Sequence, residues 1–493
     1  MPSLPTRKVV PAFIWLFVSL AMVALLSQPG STHDEWYHAR SIWCGHGERS
    51  PYCTSIVSVN DIPIYAITNI REQNCQREPE APLLCPRSQL QLSSLTVNNG
   101  FLYPKLFYFV MSWLVVPSVE MSVALIRWAN ALIITTLLGL MIWLLPARYR
   151  LVQFLVILTT FTVSGYVLTA SLQPSSWTMI GVGFGWLPIH AAIAPNKMSL
   201  QRKIALGLLG VTTWVMAVGS RHDALPMITF TLTLTSLHLA MLHFPTRKKQ
   251  IVVVGLVGTV VLVWTLELFS MISVLAAISS LFTYSDGQPD NVAFFSHYLL
   301  QGLPNALQAL GRLPTMTTVW LPEIVYQVNL FVLGALIFHS YCRHSQLQRL
   351  GSIAAVAVIS LVIMAQVSMV DNRDPFGVEP RYSFPLLVFA VGWWFTTGPR
   401  DLKGRIANHL MAMTVVFVGM FAITMFTLAE RHVDRTTWGL RLLPEGTDHW
   451  WWSRMPIGPN VVLFVAVVAM WKFLRQMSEV IEADEVAAPE LTS

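Results

Sequence analysis

LFYFVMSWLVVP, residues 106–117, is the stretch on which the architecture turns. It is apolar almost throughout, yet as an α-helix it reaches only about 18 Å, well short of a ~30 Å hydrocarbon core. We therefore expect an interfacial or re-entrant helix here, one that does not cross. The other long apolar runs are of roughly 18 to 23 residues, about the length a crossing helix needs. They place spans at 9–28, 124–146, 151–171, 176–195, 203–220, 225–244, 250–272, 319–339, 351–370, 382–398, 406–428 and 459–475.

Leaving 106–117 out of that count has a consequence for charge. Every basic short loop then falls on the side of the N-terminus: Arg148/Arg150, Lys197/Arg202/Lys203, Arg247/Lys248/Lys249, Arg343/Arg349, Arg400/Lys403/Arg405 and Lys472/Arg475. Counting 106–117 as a span reverses the parity and sends those loops outside, against the positive-inside rule. The expected fold is all-α, a polytopic transmembrane bundle of about twelve spans with a short interfacial helix. Both termini are expected in the cytoplasm, 1–475 forming the membrane module and 476–493 a disordered acidic tail.

Composition agrees. The 493 residues are 54% hydrophobic and 12% charged, with a mean hydropathy of +0.55. So few charges cannot cover the surface of a soluble domain. The formal charge of +6 is spread over short loops and not gathered on one basic face, which excludes a nucleic-acid partner. The first run follows Arg7-Lys8 as a signal peptide would. It is long for one and lacks a small-residue cleavage site, so it reads as a retained anchor, with cleavage as the alternative.

With this polarity the long loops, 29–123, 273–318, 371–381 and 429–458, all lie outside, and chemistry is expected there. Cys44, Cys53, Cys75 and Cys85 fall together in the first of them, an even number facing an oxidising compartment. Two disulfides are expected, with three connectivities open. A zinc site is the competing reading, and no CxxC pair supports it. Cys342 is expected as a cytoplasmic free thiol.

Four constellations carry the candidate site. Beyond the first span comes His33-Asp34-Glu35-Trp36-Tyr37-His38. A carboxylate beside hydrocarbon costs a few kcal/mol unless paired or solvated, so adjacent Asp34 and Glu35 suggest a proton acceptor or a hold on a divalent cation. The plainer account is a capped helix start after Ser31-Thr32. Lys105, opening the aromatic stretch, and Arg127, early in the next span, are candidates to meet a lipid phosphate. Arg221 and Asp223 end a span on the outer side; they either neutralise each other or leave the guanidinium to grip a phosphodiester. Arg381-Tyr382, between Pro380 and Pro385, is a rigid placement suited to phosphate or sugar. In the last outside loop, Trp450-Trp451-Trp452 read as a membrane belt or a saccharide platform.

Dinucleotide, Walker and HExxH signatures are absent, and no chain of ionisable residues runs through the spans as proton coupling would require.

An anchor ending in Asp34-Glu35, the LYPKLFYF stretch and Arg127 together resemble the first third of GT-C glycosyltransferases, the superfamily of protein O-mannosyltransferases and mycobacterial arabinosyltransferases. The chain is also similar, over about residues 9 to 475, to an uncharacterised family of polytopic proteins common in actinobacteria. The carrying motifs are Asp34-Glu35-Trp36-Tyr37-His38, the turn Gln173-Pro174-Ser175 (with Gln where Asn is usual) and Arg381-Tyr382-Ser383-Phe384-Pro385. The resemblance implies transfer of a sugar from a polyprenyl phosphate to a glycan, lipid or protein acceptor outside a bacterial plasma membrane. It makes Asp34 the catalytic base or metal-side carboxylate, assisted by Glu35. His38, Lys105, Arg127, Arg221, Asp223, Arg381 and Tyr382 would bind donor phosphate or sugar, and the cofactor is either a divalent cation (Mg, Mn or Ca) or none. A lipid-linked-saccharide flippase without chemistry is the alternative.

Overall fold

The computed structural model describes residues 4–27, 35–47, 53–59, 62–67, 103–161, 165–243, 323–341, 384–397, 402–433 and 458–486. The spans expected at 250–272 and 351–370 lie outside these residues. So do Asp34, Cys75, Cys85, Cys342, Arg381, Tyr382 and the Trp450-Trp451-Trp452 belt.

In chain order the helices are α1 (Leu4–Leu26), α2 (Glu35–Trp43), α3 (Leu106–Ser112), α4 (Val119–Leu144), α5 (Ala147–Thr160), α6 (Tyr166–Thr169), α7 (Ser175–Thr178), α8 (Trp186–Ile193), α9 (Leu200–Val218) and α10 (Ala224–His243). They continue with α11 (Glu323–Tyr341), α12 (Phe384–Thr397), α13 (Leu402–Val433) and α14 (Pro459–Val486). Among the described residues, four helices are long and apolar enough to cross a membrane: Lys8–Leu26, Val119–Leu144, His409–Ala429 and Pro459–Asp484. Exposed apolar side chains such as Leu132, Leu140, Val211, Phe331 and Phe464 suit a hydrocarbon surround, where the helical backbone must satisfy itself.

The decisive stretch behaves as its length requires. α3 is only seven residues long, and the chain then turns before α4. Ser118 caps α4, its hydroxyl accepting from Met121 N at 3.3 Å. Two glycines clamp α3 in place. Gly45, after α2, lies against the carbonyl of Tyr108, and Gly219, after α9, lies against Leu106. A Cβ at either position would collide, so only glycine admits this approach.

The bundle is helical as expected, and three features go beyond that expectation. In the first loop, β1 (Cys53–Val59) pairs antiparallel with β2 (Ile62–Ile67), with a bulge between Ser55 and Val57. A turn falls between the spans expected at 151–171 and 176–195, at the expected Gln173-Pro174-Ser175, but neither segment is α-helix throughout. α6 and α7 are four residues each around the turn at 170–174, and a π-helix, Met179–Phe184, precedes α8. Pro174 lacks the N–H that would extend a helix through the turn, and Gly181 in the π-helix lies against the carbonyl of Thr213, where no side chain fits. Finally, the acidic tail is not disordered as far as Val486, because α14 carries helix through it. Phe473, Met477, Val480 and Ile481 are buried along one face, which rewards helix in spite of the charge.

Pairings fix the polarity of the bundle. α1 runs antiparallel to α14: Lys8 pairs with Glu479 at 2.8 Å, Phe13 meets Phe473, and Ser19 Oγ donates to Ala466 O. α4 runs antiparallel to α1, with Phe13 at Gly139, Trp128 Nε1 donating to Ala21 O and Arg127 reaching Ala24 O. Lys8, Arg148, Arg150 and Arg202 therefore share one end, tied there by Glu479, Thr396 O, Asp484 and Leu144 O. Glu35, Arg127, Ser175 and Arg221 share the other.

Candidate functional site

At the end away from the basic turns, the floor of the site is a sealed ion pair. Arg127 Nε and Nη2 donate to Glu35 Oε1 at 3.0 and 2.8 Å, and Nη2 to Oε2 at 2.9 Å. Arg127 Nη1 caps the end of α1 through Ala24 O and Ser27 O at 2.8 and 2.7 Å. The last four carbonyls of a helix have no intrahelical partner, and here a cation supplies one. Glu35 Oε1 also accepts Leu172 N at 3.3 Å, so one carboxylate joins α1, α2, α4 and the 170–174 turn. Side-chain exposure is 0% for Arg127 and 1% for Glu35.

Asn130, one turn further along α4, continues the floor. Its Nδ2 donates to Thr169 O, Ser171 O and Ser176 Oγ, and its Oδ1 accepts from Trp177 Nε1 at 3.0 Å. Every polar atom of a buried amide is thus used to hold the turn. The turn in turn presents Ser175, whose Oγ accepts from Arg221 Nη1 at 3.0 Å.

Arg221 is the centre of the site. It donates in a fork to Asp223, Nε to Oδ1 at 2.8 Å and Nη2 to Oδ2 at 2.6 Å, and its carbon Cζ lies 5.7 Å from the centroid of Tyr103. The side chain of Arg221 is 9% exposed and that of Asp223 30%, so the pair opens toward solvent through the carboxylate. Tyr103 also meets the edge of His38 at 4.9 Å and lies 6.1 Å from Tyr37. His38 Nδ1 is 2.9 Å from Tyr108 Oη, linking α2 to α3. Lys105 is exposed two residues after Tyr103.

Of the residues expected from sequence, the structure brings together Glu35, His38, Lys105, Arg127, Arg221 and Asp223 at one end of the bundle. It does not give them equal standing. Glu35 and Arg127 have no side-chain surface left for a ligand, so their geometry is that of a structural tie and not of a catalytic carboxylate or a phosphate contact. His38 is buried and serves the same α2–α3 junction. Arg221, Asp223, Lys105 and the Tyr37–Tyr103 pair are what a ligand can meet. Asp34, Arg381 and Tyr382 lie outside the described residues. Asp34 is the immediate chain neighbour of the anchored Glu35.

Reasoning from sequence missed Ser175 as the acceptor for Arg221, and Asn130 altogether. The signal for Asn130 was a lone amide inside an apolar span. Cations are not gripped here by a ready ligand set: among the described residues no three of His, Cys, Asp or Glu gather, and the carboxylate assigned to a divalent ion is Asp34. Cys44 is buried at the end of α2, while the side chains of its expected partners lie outside the described residues.

Fold and site together define a helical membrane protein with a polar, aromatic-lined site at one end of its bundle. The chain belongs to the family described as "Predicted membrane protein (DUF2142)", whose match runs over residues 17–390 and so takes in every site residue above. No curated protein and no solved structure matches it.

Proposed function

We propose that this chain is a GT-C-type membrane glycosyltransferase that moves a sugar from a polyprenyl phosphate to a cell-envelope glycan, lipid or protein. The observation that carries the reading is the Arg221 arrangement. A planar cation, held by Asp223 and Ser175 and faced by Tyr103, lies at the same end as exposed Lys105 and the α2 start that follows Asp34. Cations fixed beforehand stabilise charge that develops on a leaving phosphate without reorganising during the step. Aromatic faces offer a surface for the C–H side of a sugar.

In this reaction the acceptor hydroxyl gives its proton to the Asp34 carboxylate, and its oxygen forms the new bond to the anomeric carbon. The bond from that carbon to the phosphate oxygen breaks, with its electron pair going to the departing polyprenyl phosphate. Configuration at the anomeric carbon inverts. Arg221 and Lys105 meet the phosphate; Arg381-Tyr382 is assigned to the same donor. Where a divalent ion is bound, Asp34 would hold it, and it would supply further charge to the phosphate.

The proposal includes the membrane placement: about twelve spans, with the basic end in the cytoplasm and the Arg221 end outside. The first-loop disulfides belong to it as well, since four cysteines lie in one loop that this placement turns to an oxidising compartment.

Purified protein given a radiolabelled polyprenyl-phosphate sugar tests the reading. Release of polyprenyl phosphate is expected, and Asp34→Asn should abolish it while the yield of folded protein is unchanged. Full turnover in that variant removes Asp34 from the mechanism. Movement of the lipid across a bilayer with no release of polyprenyl phosphate identifies a flippase instead.

A further inference from the structure

The basic end of the bundle has an imbalance that the outer site does not use. Arg150 Nε and Arg202 Nη2 both donate to one carbonyl oxygen, Leu145 O, at 2.7 and 3.0 Å. Two guanidiniums on a single neutral acceptor repel each other, and the cost is low only where a negative charge is near. One carboxylate supplies it: Asp484 accepts both bonds of Arg150 Nη1 at 2.9 and 2.7 Å. Among the described residues, Arg202 has no carboxylate of its own within hydrogen-bond distance. Its Nε donates to Leu144 O, and its Nη1 makes no hydrogen bond among the described residues. Arg148 adds a third guanidinium, fixed on Thr396 O at 2.7 Å, and Lys203 follows Arg202 in the chain.

We propose that Arg202, with Lys203, binds the phosphate of an anionic phospholipid in the leaflet at this end, seated between α4 and α9. Three features of the place select a lipid. Arg202 stands in the first turn of α9 and is held by two carbonyls, so its fork is set before any ligand arrives. The end of α4 lies beside it, because those carbonyls belong to Leu144 and Leu145. Within about two turns of the guanidinium, both helices expose apolar side chains, Leu140 and Trp143 on α4 and Ile204 and Leu208 on α9. A phosphate headgroup with acyl chains satisfies both halves of that surface, charge above and hydrocarbon below. A free anion satisfies only one.

Native mass spectrometry or thermal unfolding of the full chain, with added phosphatidylglycerol or phosphatidylcholine, tests this. Phosphatidylglycerol should bind about thirtyfold better than phosphatidylcholine, since each of the two basic residues near an anionic lipid adds about 1 kcal/mol. Arg202→Gln should lower that preference about fivefold. Trp143→Ala is lipid-facing and should fold; it is expected to weaken phosphatidylglycerol binding and leave the response to inorganic phosphate untouched. Equal binding of the two lipids by the unaltered protein overturns the proposal and needs no variant. Stabilisation by inorganic phosphate equal to that by phosphatidylglycerol also overturns it, in favour of a plain anion site. An Arg202→Gln protein that folds and keeps the full preference does the same for the residue assignment.

Discussion

Arg127 and Arg221 lie at the same end of the bundle, each in a two-pronged pair with a carboxylate, yet they are different devices. Arg127 and Glu35 are sealed, at 0% and 1% side-chain exposure, and the remaining Arg127 donors cap α1. Arg221 and Asp223 are neighbours in the chain, with the carboxylate 30% open to solvent. Nothing in the residue types separates them. What separates them is sequence distance and saturation: a pair that joins residues 35 and 127 and leaves no donor spare holds the fold. One that joins 221 and 223, with Ser175 as a further partner of Arg221, keeps its carboxylate at the solvent and so sets its charge where a ligand can meet it.

The sharpest way to break this comparison is to remove one member of each pair. Glu35→Gln leaves Arg127 charged, buried and partly unpaired, and should cost about 3–5 kcal/mol of stability. Its expected phenotype is loss of folded protein from the membrane, read by thermal unfolding after extraction. Recovery of part of that loss in the apolar double variant Glu35→Leu/Arg127→Met would confirm that the charge left behind, and not the missing contact, does the damage. A Glu35→Gln protein as stable as the parent, but inactive, would return Glu35 to the catalytic group.

Arg221→Gln should act the other way round. Folded yield is expected to hold, while sugar release falls about a hundredfold, the usual loss when a fixed donor to a developing charge is removed. Arg221→Lys keeps the charge without the fork and should recover only part. Unfolding of Arg221→Gln as severe as that of Glu35→Gln would erase the distinction between the two arginines.

A third pair, Arg150 with Asp484 at the basic end, calibrates the first two. Its side chains are 6% and 12% exposed, between the sealed and the open case. Asp484→Asn should therefore destabilise by about 2 kcal/mol, less than Glu35→Gln, because water reaches the remaining guanidinium. Thermal unfolding of the two variants side by side checks the order, and a reversed order would mean that exposure is a poor guide in this bundle.

Much of the fold was legible because membrane spans are written in long apolar runs, and because Leu106 to Pro117 is visibly too short to be one. α1, α4, α9, α10, α11, α12, α13 and α14 all coincide with runs read from sequence. The turn at Gln173-Pro174-Ser175 was legible between two apolar runs, but the π-helix after it was not, since apolarity continues from 177 to 189 while the backbone changes from α to π and back. Only the glycines at 181, 183 and 185 mark it. The hairpin had a signal that went unread: CTSIVSV and IPIYAI are rich in β-branched residues and separated by Asn60-Asp61. The helical tail had one too, in the spacing of Phe473, Met477 and Val480. For the site, the sequence named Glu35, Arg127 and Arg221 but could not rank them. Ranking depends on which carbonyls and carboxylates surround each side chain, and those come from residues up to 137 positions away.

The finest cut separates Arg221 from its own partner. Asp223→Asn keeps the shape of the side chain and one acceptor oxygen, so Arg221 should stay in place through Ser175 and the ring of Tyr103. Because the carboxylate is partly in water, its charge is screened, and the change in stability should stay under about 1 kcal/mol. The effect on the ligand has two opposed parts. Losing the negative charge makes the site more attractive to a phosphate, while a looser fork makes the guanidinium less well aimed. If Arg221 binds phosphate, the KM for a polyprenyl-phosphate donor should fall by a few-fold and kcat should fall with it. If the pair is only structural, neither constant moves apart from the amount of folded protein, and the contrast with Arg127 is then one of exposure alone.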